Sequence, residues 1–262
     1  MSKFSLKDRI ESYKKTTNYT LMNKVPLIIN INGKNFSKIT SLLDKPYDDK
    51  FAECMFSTGL RLCNDIEGVV FGYQHNDEVN LIIRNDQNDD TAPWFDNNLQ
   101  KICSVTSAIA TMHFNECAST LKMNMLGDPI FTCEVFPVPT AAEAINTMIY
   151  KQQHNFLSSL HFASLYELLK HHDKNTIKEM LSGLTSDEKI DLLKQEVNVD
   201  FNDYPLPFKR GIGYYKVPKV VDGKMKAKWF LNSDLPIFTR DQSFLGNILK
   251  NGMDIFRQDG LI

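Results

Sequence analysis

The chain has 262 residues, 42% of them hydrophobic and 24% charged, with a formal net charge of -2. That is enough for one large domain or two small ones around a substantial core, and the near-neutral balance excludes a protein coated throughout with basic charge for nucleic acid. Five scattered cysteines, at 54, 63, 103, 117 and 133, form no Cys-x-x-Cys pair, and no apolar run approaches the ~18 residues of a bilayer span, so reduced thiols, no membrane contact and a cytoplasmic location are expected.

The first nine residues, Met1 to Arg9, carry charge and no apolar signal core. Leu6, Ile10 and Tyr13 then fall at i, i+4 and i+7, the spacing of a short amphipathic helix over 5–15. Pro26 precedes Leu27-Ile28-Ile29-Asn30-Ile31-Asn32-Gly33, an apolar, β-branched run that ends on Asn-Gly and predicts a buried strand with a turn behind it. Pro46 marks another turn. Phe51, Met55, Leu62 and Ile66 predict a helix over 50–66. Val69 to Gln74 and Val79 to Ile83 flank a polar tip, His75-Asn76-Asp77-Glu78, which reads as a β-hairpin with carboxylates at its turn. The loop over 85–98 holds Asp86, Asp89, Asp90 and Asp96, but without the spacing or closing Glu of a calcium loop it reads as solvated.

A helix is expected over 99–117, a strand over 130–136 stopped by Pro137 and Pro139, and a helix from the capping box Thr140 to Glu143 onward to about His161. Further helices are expected over 174–184 and, from the capping box Thr185 to Glu188, over 189–197. The tail carries Tyr214-Tyr215, an Asp222-Gly223 hairpin turn and Trp229 among Lys209, Arg210, Lys216, Lys219, Lys224, Lys226 and Lys228, a mixture suited either to RNA or to a solvated hairpin. The alternation predicts an α+β fold: a polymerase-palm-like antiparallel sheet with helices packed on one face over 1–160, and a helical, basic C-terminal extension packed on it over 161–262.

Strand ends free small polar groups and backbone for phosphate and metal chemistry. If the strand ending at Gly33 and the hairpin tip lie side by side, Asn32, Gly33, Asp77 and Glu78 converge on an oxygen-rich corner of the kind a hard cation such as Mg2+ takes. The four histidines at 154, 161, 171 and 172 lack a carboxylate partner at metal-binding spacing and read as ordinary core or surface residues.

Asn30-Ile31-Asn32-Gly33-Lys34-Asn35-Phe36 and His75-Asn76-Asp77-Glu78 resemble the motifs Arg-Ile-Asp-Gly-Lys/Arg-x-Phe and Gln-Ser-Asp-Glu of the tRNA-His guanylyltransferases, and especially of their relatives that repair tRNA 5′ ends. The resemblance runs on through the segment Trp94 to Val105, the strand Phe131 to Phe136, Tyr150-Lys151-Gln152-Gln153, Phe208-Lys209-Arg210-Gly211 and Leu235 to Asp241. It implies a 3′-5′ polymerase, a nucleotidyltransferase that activates the tRNA 5′ phosphate with a nucleoside triphosphate, ATP or GTP, and extends that end with the 3′ hydroxyl of an incoming nucleotide. It also implies two Mg2+ ions held by residue 32, Asp77 and the carbonyl of Gly33, and a homotetramer. Carried over by position, Asp77, Glu78 and Asn32 are the catalytic candidates, and Gly33, Lys34, Asn35, Phe36, Asn76, Lys209 and Arg210 the nucleotide-binding ones.

The chain departs from that pattern where charge matters. Asn32 stands for an Asp, Asn30 for an Arg, Asn76 for a Ser, and Thr132 and Glu134 for an Asp and an Arg; Leu157 and Ser158 stand near an Arg-Asn. An amide oxygen offers a metal no negative charge, whereas paired dications ~3.5–4 Å apart need carboxylates between them. Two readings therefore stand: a tRNA 5′-end nucleotidyltransferase with a weakened metal site, or a catalytically impaired homologue that binds tRNA or nucleotide or serves as a structural subunit.

Overall fold

The computed structural model describes residues 4–87 and 90–254; the acidic-loop residue Asp89 and the first three residues of the N-terminal stretch lie outside them. In chain order the elements are α1 (Leu6–Lys15), β1 (Leu27–Gly33), α2 (Phe36–Ile39), α3 (Asp49–Asp65), β2 (Val69–His75) and β3 (Glu78–Ile83). After them come α4 (Leu99–Thr120), β4 (Phe131–Pro137), α5 (Ala141–Leu168), α6 (Lys174–Leu181), α7 (Ser186–Val197), α8 (Leu206–Arg210), β5 (Ile212–Val221), β6 (Lys224–Asn232) and α9 (Gln242–Asn251).

The six strands form one antiparallel sheet in the order β4-β1-β3-β2-β5-β6. The α+β antiparallel expectation holds, with one correction: helices cover both faces of the sheet, not one. Alternate residues of a strand point to opposite faces. Leu27, Ile29 and Ile31 therefore join a core with Cys54, Met55 and Leu62 of α3 and Ile102, Ala110 and Phe114 of α4. Ile28 faces the other way, into a second core with Phe71, Tyr73, Met148 of α5 and Leu245 and Ile248 of α9. The continuous apolar run of β1, rather than an alternating one, is the sequence mark of a strand covered on both sides. Each fully buried Ile there contributes about 1.5–3 kcal/mol relative to exposure.

A boundary near residue 160 falls inside α5, and β5 pairs with β2, so the basic tail supplies two strands of the same sheet instead of an appendage. Downstream of that point Leu160, Ala163, Ile177, Leu193, Phe201 and Phe208 build a third core from α5, α6, α7 and α8. Of the two expected capping boxes, Thr185 and Glu188 cap α7 reciprocally, while at the start of α5 only the Thr140 half forms, accepting from the Glu143 backbone. Among the described residues no helix is long and apolar enough to cross a membrane. In the acidic loop, Asp86 takes two hydrogen bonds from Arg84, at 2.5 and 2.9 Å.

Candidate active site

The end of β1 and the β2–β3 turn are neighbours. Asn32 stands opposite Glu78 in the β1–β3 register, and the Gly33 N–H donates to the Asp77 carbonyl at 3.1 Å. Asn76 and Asn35 both take left-handed backbone (φ 49° and 58°), a conformation Asn tolerates better than most side chains, and so turn the chain tightly at both tips. Gly33 is required by packing as well. A Cβ on it would stand 2.4 Å from the buried Phe36 ring, which itself packs on Phe51, Phe114 and Phe131.

Beside this junction opens a cavity of about 470 Å³. Gly33, Asn35, Phe36, Asn76 and Asp77 line it, so five of the expected residues meet there. Burial pushes the Asp77 carboxyl up to about 6, with Glu78 adding to the rise and Lys45 opposing it. Lys45, also in the wall, is held below the ordinary lysine value by burial, with Asp48 and Asp77 pulling it back up. A half-buried lysine beside a half-buried carboxylate, over aromatic walls that include Tyr47, Phe162 and Phe208, suits a triphosphate carrying a flat base. Sequence reading missed Lys45 because it saw only the turn at Pro46. A charged residue directly before a proline in a short loop was the available signal, and nothing in it pointed to a partner 32 positions away.

Asn32 and Glu78 lie off the cavity, on the α5 side of the sheet. There Asn32 Nδ2 donates to Asn30 Oδ1, and Asn30 Nδ2 donates to Glu78 Oε1 and, at 2.7 Å, to Asn80 Oδ1. Lys151 of α5 forms an ion pair with the same Glu78 oxygen. Two Mg2+ ions need several oxygen donors with compensating negative charge. Among the described residues no group of three His, Cys, Asp or Glu side chains could hold a metal. With the Asn32 amide donating to Asn30 and Glu78 engaged by an ammonium, these side chains do not fit two Mg2+ ions. Asp77 is the one acid of the three candidates directed at the cavity.

Lys34 is exposed at the strand end. Lys209 donates to the Asn202 carbonyl and Arg210 to the Leu235 carbonyl at 3.4 Å, so both tie loops together next to the cavity-lining Pro207 and Phe208. Tyr214 and Tyr215 are fully buried and offer no face to a base. The outer half of the β5–β6 hairpin is exposed instead, carrying Lys219, Lys224, Lys226 and Lys228, while Lys216 sits 5.1 Å over the Trp229 ring. His75 is buried with Nε2 2.8 Å from both Ser159 Oγ and the Phe208 carbonyl. Burial holds it down to about 4, so it is neutral and fixes α5 and α8 to the end of β2.

Comparison with known proteins agrees with this arrangement. The family model for Thg1, tRNAHis guanylyltransferase, matches residues 7–139, just over half of the chain. A probable tRNA(His) guanylyltransferase of Dictyostelium discoideum is 23% identical over 206 residues, 76% of this chain and 78% of that protein. The structure of a bacterial tRNA(His) guanylyltransferase (Thg1)-like protein in complex with ATP superposes with a TM-score of 0.82 at 26% identity, covering 93% of this chain and 98% of the other. The tRNA(His) guanylyltransferase of Saccharomyces cerevisiae shares the fold, with a TM-score of 0.68 at 16% identity over 82% of this chain and 94% of its own. A sheet end that brings Gly33, Asn76 and Asp77 to one cavity, within a fold shared along nearly the whole chain, places this protein in the tRNA-His guanylyltransferase family, nucleotidyltransferases that add to the 5′ end of tRNA.

Proposed function

We propose that this chain is a nucleoside-triphosphate-dependent nucleotidyltransferase of the tRNA 5′ end, a 3′-5′ polymerase of the repair type, working with the metal that its nucleotide carries rather than with two resident ions. The observation that carries the reading is Asp77 and Lys45 in the wall of one cavity, near enough for the lysine's charge to act on the carboxyl. Lys45 balances phosphate charge, Phe162, Tyr166 and Phe208 wall the space a base needs, and the Asn35 and Asn76 turns hold the rim. An Mg2+ bound to the triphosphate would offset its charge next to Asp77. The bacterial relative was solved with ATP, and its fold covers 93% of this chain, which supports a nucleotide in the same place. The sheet and the helices on it correspond in this reading to a polymerase palm, and the exposed lysines of the β5–β6 hairpin to a contact with tRNA phosphates. A homotetramer belongs to the same proposal. It is supported by α1, none of whose residues is buried although Leu6, Ile10 and Tyr13 share one face.

A second reading is favoured by one observation, the uncharged Asn32 tied into an amide ladder. In it the chain binds tRNA and nucleotide but adds nothing. One experiment separates the two: 5′-activated, 5′-truncated tRNA is incubated with the four nucleoside triphosphates and Mg2+, beside the Asn32→Asp variant. Extension by the unmodified protein supports the first reading. Extension by Asn32→Asp alone supports the second, with a latent site silenced at one position. No extension by either, with ATP and tRNA still bound, overturns the first reading and leaves a binding subunit.

A further inference from the structure

Lys151 sits on α5, on the face of the helix turned to the sheet, and its ammonium reaches Glu78 across the end of β3. The two side chains are 22% and 15% exposed, so this is no solvated surface pair. Glu78 Oε1 also accepts from Asn30 Nδ2, whose own oxygen accepts from Asn32. Asn80 lies behind, fully buried, with its oxygen taken by Asn30 and its amide nitrogen without a partner. The direction of donation along this ladder is therefore fixed. It starts at Asn32, passes through Asn30 and ends on a carboxylate that also holds an ammonium. A carboxylate neutralised in this way attracts a dication weakly, and an ammonium within bonding distance of it repels one.

We propose that Lys151 is a resident cation of this corner, a positioning residue that orients and neutralises Glu78 and occupies, electrostatically, the place of a metal ion on the α5 side of the sheet end. Divalent metal is thereby confined to the Asp77 side. This accounts for the uncharged Asn30 and Asn32 on the same face: beside an existing Glu78–Lys151 pair, a further carboxylate at position 32 would face the Asn30 oxygen without a compensating donor. The idea deepens the proposed function, since it rests on Asp77 being the side that receives the nucleotide.

The test is a titration with Mn2+ of the protein saturated with a non-hydrolysable ATP analogue, followed by the loss of the free-ion electron paramagnetic resonance signal. In Lys151→Met, Glu78 is released and Mn2+ affinity rises at least tenfold. Lys151→Arg keeps the cation and stays within twofold of the unmodified protein. Glu78→Gln combined with Lys151→Met removes the gain. An unchanged affinity in Lys151→Met, or an equal gain in Lys151→Arg, overturns the proposal. If Lys151→Met does not fold, the unmodified background still decides: Asp77→Asn abolishes its Mn2+ binding and Glu78→Gln leaves it unchanged, whereas equal losses in both would place Glu78 among the metal ligands and end the idea. ATP binding, measured separately by intrinsic fluorescence, distinguishes this failure from failure of the nucleotide reading, because loss of ATP binding with the Mn2+ pattern intact sinks only the latter.

Discussion

The two sides of the sheet end at β1 and the β2–β3 turn handle charge in opposite ways. On the cavity side Asp77 is held half-buried with its carboxyl pushed up to about 6 by burial, against a backbone hydrogen bond and the nearby Lys45, a site that gains from an incoming cation. On the α5 side, one residue further along, Glu78 is engaged by Lys151 and Asn30 and the charge is already balanced. Asp77 and Glu78 are adjacent in sequence, yet the turn directs one to the cavity and the other to the sheet. Adjacent carboxylates in a motif are therefore not a pair by virtue of adjacency; the last residue of a turn and the first of a strand point to different places.

Breaking the cavity side has the largest effect. Asp77→Asn lowers 5′-extension by about 10³-fold, the scale of several kcal/mol of lost charge stabilisation, read by single-turnover assay. The same variant gains stability. A carboxyl raised from 3.8 to about 6 on folding takes up protons in the folded state, so its cost to stability is full above pH 6 and vanishes below about pH 4. Urea unfolding at pH 8 then shows Asp77→Asn more stable than its parent by up to about 2 kcal/mol, and the advantage is gone at pH 3.5. Activity of the unmodified protein correspondingly falls as pH drops through 6.

Lys45→Met weakens ATP binding about 30-fold by calorimetry, the loss of a charged contact to phosphate, without moving the unfolding midpoint by more than a degree or so. Gly33→Ala sharpens the comparison from the backbone. The added methyl drives Phe36 out of its place between the cavity and the core and costs about 1–2 kcal/mol in chemical denaturation. The smallest effect is far from both sides. Replacing Lys224, Lys226 and Lys228 with Ser reduces tRNA affinity about fivefold at ~0.15 M salt and lowers the salt slope by about 2, with ATP binding untouched.

Much of the frame was legible because it depends on local rules. The β1 run, the hairpin at Asp77, the Asp222-Gly223 turn and the caps at Thr140 and Thr185 each carry their signal within a few residues. Of the expected convergence of Asn32, Gly33, Asp77 and Glu78, which came from placing two such signals side by side, Gly33 and Asp77 reach the cavity, while Asn32 and Glu78 lie off it. What stayed hidden depends on packing across long separations. Tyr214 and Tyr215, amid lysines, resemble a stacking platform, but β5 lies inside the sheet and both of its faces are covered, so adjacent tyrosines are buried on opposite sides. Lys45 gave no signal of its own, since its place beside Asp77, 32 positions away, comes only with the fold; Lys151 lies in the matched segment Tyr150 to Gln153, but its partner Glu78, 73 positions away, was not legible from it. The helix α9 was missed because its apolar residues cover a face of the sheet that local reading had left bare.

The most direct measurement is the number of divalent ions the protein binds together with nucleotide. Mn2+ is titrated into the unmodified protein saturated with a non-hydrolysable ATP analogue, and bound ions per chain are counted by electron paramagnetic resonance. One ion per chain, dependent on Asp77 and indifferent to Glu78→Gln, is the result this account predicts; two ions per chain, the second lost in Glu78→Gln, would contradict it.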